Sequence, residues 1–217
     1  VALISNNRSE WNICDIGIQQ IGAIGVPVYP TISADVYEYI FNDAGVKLCI
    51  VSDDELYGKV LSIKDNVPTL TEVFTFNEVP NAKSWKELLV DPDEALDAEI
   101  EKRKAAIDYE DLVTLIYTSG TTGNPKGVML AHKNLLSNVK DCQPRLPVDS
   151  NAISLSFLPV CHVYERMLLY LYQYTGVSVY FAESMDTIGD NLREVKPNVF
   201  TAVPRLLEKV YDKIIAK

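Results

Sequence analysis

One run of twelve residues combines glycines, hydroxyl side chains and a lysine in a spacing that suits phosphate binding. Its members are Tyr117, Thr118, Ser119, Gly120, Thr121, Thr122, Gly123, Asn124, Pro125, Lys126, Gly127 and Val128. Because Gly120, Gly123 and Gly127 have no Cβ atom, the backbone is free to adopt positive φ and to bring several N–H groups close to one anion. The hydroxyls add further donors, and the Lys126 ammonium adds a full positive charge. We call residues 117–128 the phosphate loop and predict that it binds a nucleotide.

The order of residues in the phosphate loop differs from that of a Walker A loop, in which Gly-Lys-Ser/Thr opens a helix. Here Pro125 precedes the lysine and Gly127 follows it. The alternative is an ordinary surface turn, because Gly, Asn, Pro, Ser and Thr are the usual turn residues. Ordinary turns are far shorter than this run, so we favour phosphate binding by a loop of another kind.

The phosphate loop resembles, without a gap, the signature loop of the adenylate-forming enzymes, which include acyl-CoA synthetases, luciferases and nonribosomal-peptide adenylation domains. Two further stretches resemble the long-chain fatty acyl-CoA synthetase branch: LPVCHVYER at residues 158–166 and AVPRLLEKVY at residues 202–211. The opening segment GAIGVPVYP at residues 22–30 is similar to the early part of the same enzymes. The resemblance therefore runs nearly from end to end.

The resemblance implies a two-step reaction. A carboxylate attacks the α-phosphorus of MgATP to give an acyl-adenylate and pyrophosphate, and the thiol of coenzyme A then displaces AMP. It implies ATP, a long-chain fatty acid and coenzyme A as substrates, with Mg²⁺ as cofactor. By the same resemblance, residues 119–123 hold the β- and γ-phosphates, Thr121 approaches magnesium, and Lys126 is the catalytic cation that offsets the charge of the leaving group.

His162 matches the family's histidine beside the acyl pocket and is therefore expected to bind substrate. The alternative is a structural histidine that lies in the core or caps a helix. The apolar residues after it either line a channel for an alkyl chain or form plain core: Met167, Leu168, Leu169, Leu171 and Tyr172. A Cys161–His162 nucleophile is disfavoured, because adjacent residues on an extended chain point to opposite faces.

Several parts of the family's active site have no counterpart in this chain: the aromatic-Gly-x-Thr-Glu segment, the ribose-binding aspartate, the hinge and the C-terminal domain with its lysine. Because the chain also opens at Val1, we expect an internal fragment of the large N-terminal domain. The isolated fragment is expected to be inactive. Two alternatives stay open: a nucleotide-binding module without catalysis, and an adenylating enzyme for another carboxylic acid.

Composition is that of a globular protein, with 47% apolar and 23% charged residues. The net charge of −10 argues against nucleic acid as a partner. Much of the acidic excess lies between residues 91 and 111, which we interpret as a solvated helix and linker. The four scattered cysteines suggest neither a zinc site nor a disulfide framework. We therefore expect a cytoplasmic protein, with peripheral membrane contact and oligomeric state left open.

Periodicity predicts an α/β fold with two mainly parallel β/α sub-sheets, both incomplete. Predicted helices lie at residues 11–24, 33–42, after 54, after 84, in the charged segment, and at 133–141, 165–174, 187–195 and 204–216. Predicted strands lie at residues 26–29, 46–51, 73–76, 112–117, 153–157, 177–181 and 199–202. The apolar strand 112–117 is expected to be buried and parallel, with the phosphate loop at its carboxyl end. We divide the chain into residues 1–145 and 146–217, because residues 141–151 break regular structure.

Overall fold

The structure is a computed structural model that describes residues 1–91, 93–118 and 123–215, apart from the side chains at positions 209, 210, 213 and 214. The strands are β1 Ala2–Ile4, β2 Val26–Val28, β3 Leu48–Val51, β4 Glu72–Thr75, β5 Lys83–Ser84, β6 Leu112–Thr118, β7 Lys126–Ala131, β8 Ile153–Ser156 and β9 Ser178–Phe181. The α-helices are α1 Ser9–Gln20, α2 Ala34–Asp43, α3 Asp54–Leu61, α4 Glu94–Ala106, α5 His132–Cys142, α6 Val163–Thr175, α7 Ile188–Val195 and α8 Pro204–Ile215. The alternation of strands and helices confirms the predicted α/β class.

The first half of the chain builds a parallel sheet with the strand order β2-β1-β3-β4-β5. Its central strands are buried, as expected for apolar runs that are covered on both faces. Tyr37 and Phe41 of α2 pack against one face, and Trp11 of α1 packs against the other. Strand β1 had not been predicted, because a three-residue apolar run carries little periodicity.

The partner of β6 differs from the prediction. Strand β6 pairs with β7 in an antiparallel hairpin, and only an isolated parallel bridge, between Gly25 and Thr114, joins it to the parallel sheet. Only residues 119–125 connect the two strands, and a parallel crossover needs a dozen residues or more. The apolar run of β6 does not predict the direction of the neighbouring strand, because such a run is compatible with both a parallel and an antiparallel pair.

Helix α1 ends earlier than predicted, at Gln20 rather than Ile24. Gly22 takes the left-handed conformation after the helix, with φ of 71°. Gly25, which follows the predicted end of this helix, pairs with β6. Its N–H donates to the Val113 carbonyl, and its own carbonyl accepts from the Leu115 N–H, both at 3.0 Å. The backbone of Gly25 therefore fixes the strand that leads into the phosphate loop.

The second half places β8 beside β9 in a two-stranded parallel sheet. The predicted strand at 199–202 is reduced to a single bridge between Val199 and Ser154. Val139 of α5 shares a hydrophobic core with Leu168 of α6, so the two predicted units pack together. The boundary between residues 145 and 146 stays a prediction.

Helix α4 has no buried residue, which agrees with the interpretation of the acidic segment as a solvated helix. Among the described residues, no helix is both long and apolar enough to cross a membrane.

Candidate functional site

The phosphate loop lies at the end of the β6–β7 hairpin where the two strands are connected. Tyr117 is opposite Gly127, and Thr118 is opposite Lys126, in the register of the two strands. The last of these pairs is exposed, so a hydroxyl and an ammonium face solvent together at this end of the hairpin. Ser119, Gly120, Thr121 and Thr122 lie outside the described residues, so the geometry predicted for them stays a prediction.

The glycines of the phosphate loop have different structural roles. Gly123 takes a φ of 100°, as the sequence suggested. Gly127 has no positive φ, which corrects that expectation. A Cβ atom at Gly127 would lie 3.0 Å from Cζ of Tyr117. The absence of a side chain at Gly127 therefore leaves room for the tyrosine ring across the hairpin.

Tyr117 connects the hairpin to α2 through a hydrogen bond. Its hydroxyl donates to Oδ2 of Asp43 at 2.5 Å. Burial and the hydrogen bond to the Asp43 carboxylate both raise the pKa of Tyr117, so the phenol stays protonated. Since Tyr117 is the residue before Thr118, this contact positions the exposed end of β6.

A cavity of about 430 Å³ opens beside the loop. The phosphate loop contributes Tyr117, Thr118 and Pro125 to its lining, and the turn before α6 contributes Cys161 and His162. The rest of the lining is mostly apolar and comes from β2, α2, β6, the loop between β2 and α2, and the start of α6: Pro27, Val28, Tyr29, Ile32, Val36, Ile40, Ile116 and Val163. An apolar wall with a few polar groups at one edge is typical of a small-molecule site. The structure thus brings the phosphate loop and His162, predicted from separate motifs, to one cavity.

His162 is the N-cap residue of α6. Its Nδ1 atom accepts a hydrogen bond from the Tyr164 N–H at 3.3 Å. The imidazole is nevertheless exposed and lines the cavity, so capping and a site role are compatible. In a neutral imidazole, an accepting Nδ1 atom places the proton on Nε2, which is then a donor.

Sequence reasoning missed a set of interacting polar residues, which we call the buried junction: the buried Asp15, Thr114 and Arg166 and the half-buried Tyr170. Arg166 is 0% exposed. Its Nη2 atom donates to Oδ1 of Asp15 at 2.5 Å, Nη1 donates to Oγ1 of Thr114 at 2.7 Å, and Nε donates to the Tyr170 hydroxyl at 2.7 Å. The junction ties α1, β6 and α6 together, and so links the strand before the phosphate loop to the helix after His162.

Burial opposes the charge of Arg166, but the Asp15 carboxylate outweighs it, so the pKa of Arg166 lies above its ordinary value. The guanidinium is therefore charged and acts as a structural cation. The sequence does contain a sign of the junction, because an aspartate and an arginine each lie within an otherwise apolar helix face. The sequence does not indicate, however, that these two distant residues bond to each other.

The remaining candidates are settled by burial. Burial raises the pKa of Cys161 to about 12, which excludes a thiolate nucleophile at neutral pH. The predicted alkyl channel is largely core: Leu168, Leu169, Leu171 and Tyr172 are buried. Met167 is the exception, because it lines a separate cavity of about 450 Å³ between α5 and α6.

The described elements define an α/β protein in which a parallel sheet lies beside the β6–β7 hairpin. The chain belongs to the family of AMP-binding enzymes, whose family model matches residues 1–216. It is 33% identical to the long-chain-fatty-acid–CoA ligase ACSBG2 of Xenopus laevis over 100% of this chain and 31% of that protein. The chain spans about a third of the length of the curated relatives it matches.

Solved structures share the fold. The N-terminal domain of FACL13 from Mycobacterium tuberculosis superposes with a TM-score of 0.75 at 22% identity, covering 95% of this chain and 50% of that chain. The anthranilate CoA ligase AuaEII, solved with anthranoyl-AMP, superposes with a TM-score of 0.73 at 25% identity, covering 92% of this chain and 39% of that chain.

Proposed function

We propose that this chain is part of a longer ATP-dependent long-chain fatty acid–CoA ligase, in which it holds the phosphates of ATP and forms one wall of the acyl site. The observation that carries the proposal is the shared cavity, which is lined both by residues of the phosphate loop and by His162. The reaction joins a carboxylate to AMP with release of pyrophosphate. The thiol of coenzyme A then displaces AMP to give the thioester.

The described residues suit particular parts of this chemistry. The exposed Lys126 ammonium, beside Thr118, offsets negative charge on the departing pyrophosphate, and such electrostatic stabilisation is often the largest catalytic contribution. The left-handed Gly123 lets the loop backbone turn its N–H groups toward an anion. His162 offers an Nε2 donor at the cavity edge, where a carboxylate would lie.

Magnesium fits this site only together with the nucleotide. Within the described part of the chain, no three acidic, histidine or cysteine side chains gather as they do in a metal site made by protein alone. Mg²⁺ usually binds through one or two protein oxygen atoms and the phosphates of its substrate. We assign those protein oxygens to Thr121, by family resemblance, and to the exposed Thr118. The ion supplies charge neutralisation when it is bound.

The acid that is activated is a proposal of its own, because ligases for other acids share the fold, as AuaEII does. The names of several curated relatives and the LPVCHVYER stretch favour a long-chain fatty acid. The alternatives are another carboxylic acid and a module that binds a nucleotide without catalysis. We further propose that the isolated 217-residue chain does not turn over and that its halves divide near residues 145 and 146.

The test is acid-dependent exchange of labelled pyrophosphate into ATP by the longer protein, over a panel of hexadecanoate, benzoate, acetate and amino acids. Hexadecanoate is expected to support exchange at least about tenfold faster than the other acids, because each methylene group buried against a hydrophobic wall adds to the binding free energy. A preference for benzoate or an amino acid would be consistent with the family but would overturn the proposal that the substrate is a long-chain fatty acid. No exchange with any acid, in a protein that binds ATP, would favour the non-catalytic module.

A further inference from the structure

The turn between β8 and α6, residues 157–162, carries His162 but is itself largely buried. Leu158 is 8% exposed, Val160 1% and Cys161 3%. Buried backbone groups need hydrogen-bond partners, and an irregular turn cannot supply all of them from its own ladder. One partner is internal, because the His162 N–H donates to the Pro159 carbonyl at 2.9 Å. Two other backbone groups of the turn, the Leu158 carbonyl and the Val160 N–H, bond to a distant side chain.

That side chain is Asn7, which follows β1. Its Nδ2 atom donates to the Leu158 carbonyl at 2.6 Å and to Oγ of Ser156 at 3.4 Å. Its Oδ1 atom accepts from the Val160 N–H at 3.1 Å. A carboxamide has a donor and an acceptor side by side, so it pairs with both kinds of backbone group in the turn. A carboxylate has no donor, and an aliphatic side chain has neither a donor nor an acceptor.

Asn7 also connects the turn to the parallel sheet that contributes to the cavity lining. Strand β1 ends at Ile4, three residues before Asn7, and β1 pairs in register with β2, Leu3 with Pro27 and Ile4 with Val28. Pro27 and Val28 line the same cavity as His162. The carboxamide of Asn7 thus joins the His162 turn to the pair of strands that supplies these two lining residues.

We infer that Asn7 is a positioning residue that sets the place of His162 relative to the phosphate loop, in the ligase site proposed above. Asn7 does not line the cavity that holds His162 and the phosphate loop, and it acts through the backbone of the turn. The inference rests on the proposed function for its catalytic consequence, but its structural part is testable without any activity.

The structural test uses the histidine ring signals of the 217-residue chain in nuclear magnetic resonance spectra. The chain has two histidines, His132 and His162, so a His132→Gln variant assigns them. We expect Asn7→Ala to shift the His162 ring signals, while the His132 signals stay in place. Asn6→Ala is the matched control, because Asn6 is the exposed neighbour with the same side chain. Unchanged His162 signals in a folded Asn7→Ala protein would overturn the inference.

If Asn7→Ala does not fold, Asn7→Asp replaces it. Aspartate keeps the acceptor for the Val160 N–H but places a carboxylate oxygen against the Leu158 carbonyl. It is therefore expected to shift the His162 signals in a folded chain. His162 signals in Asn7→Asp that match those of the wild type would overturn the inference as well.

The catalytic test uses pyrophosphate exchange in the longer protein. Asn7→Ala is expected to lower exchange by about tenfold or more, since small misplacements of a site group have effects of this size. The loss is expected to be much smaller in a His162→Ala background, because Asn7 acts through that histidine. An equal loss in both backgrounds would mean a general structural role and would overturn the inference. Absence of exchange in the wild type would instead overturn the proposed function, and the spectra would still decide on Asn7.

Discussion

Lys126 and Arg166 are both cations of this chain, but they occupy opposite environments. Lys126 is exposed at the end of a hairpin, beside a loop rich in glycine and hydroxyl groups. Arg166 is sealed in the buried junction between three elements and is bonded to Asp15, Thr114 and Tyr170. The exposed cation is available to a ligand, whereas the buried one has its partners within the protein. The comparison teaches that a charged residue in a stretch that resembles a family motif is not by that alone a binding residue, and that its burial decides between the two roles.

The largest expected effect is on the buried junction. Arg166→Met leaves the Asp15 carboxylate buried without its partner, which costs about 3–5 kcal/mol of unfolding free energy. Chemical denaturation of the 217-residue chain measures it. Arg193→Met is the control, since Arg193 lies in an exposed ion pair and should change stability by less than about 0.5 kcal/mol. Adding Asp15→Leu to Arg166→Met is expected to recover part of the loss, because the stranded charge is removed. A loss of unfolding free energy below about 1 kcal/mol in Arg166→Met would contradict the structural role assigned to Arg166.

Glu165 gives the next largest effect, through pH. Burial raises the pKa of this carboxyl from 4.5 to about 7, and a hydrogen bond from Ser156 opposes the shift only in part. The native state therefore holds a proton that the unfolded state releases. Its stabilising contribution is complete below pH 4.5 and is lost as pH rises through about 7, on the order of 3 kcal/mol in all.

Glu165→Gln cannot lose that proton, so the stability difference between wild type and variant should move in favour of the variant as pH rises from 4.5 to 8. Unfolding free energies at several pH values measure this difference. Glu101→Gln, at an exposed position of α4, is the control and should show no such trend. A flat difference for Glu165→Gln would show that the carboxyl is already ionised in the native state.

A smaller effect is expected within the phosphate loop. Gly127→Ala places a methyl group 3.0 Å from the Tyr117 ring, and relieving the overlap should cost about 1–3 kcal/mol. Gly17→Ala is the matched control: Gly17 lies in α1 with no atom within 4 Å of an added Cβ, so the change should stabilise the chain by roughly 0.5–1 kcal/mol. Thermal unfolding of both variants tests whether Gly127 is needed to leave room for the Tyr117 ring. Equal effects of the two substitutions would contradict that role.

The sequence was sufficient for features that depend on neighbours along the chain. The β/α alternation and the positions of α2 and α7 follow from local residue types. The role of Gly127 and the ion pair between Asp15 and Arg166 depend on residues that meet only in the folded chain. The shared cavity is an intermediate case. The sequence motifs at its lining were each recognised separately, but only the fold brings them to one cavity.

The comparison is tested most directly by Lys126→Ala in the longer protein, with pyrophosphate exchange and thermal stability measured on the same sample. Lys47→Ala, an exposed lysine at the amino end of β3, is the matched control. We predict that exchange falls by about 10²–10³-fold in Lys126→Ala, with no loss of stability, and that it is unchanged in Lys47→Ala. Exchange that survives in Lys126→Ala, or a loss explained by unfolding, would contradict the assignment of the phosphate loop.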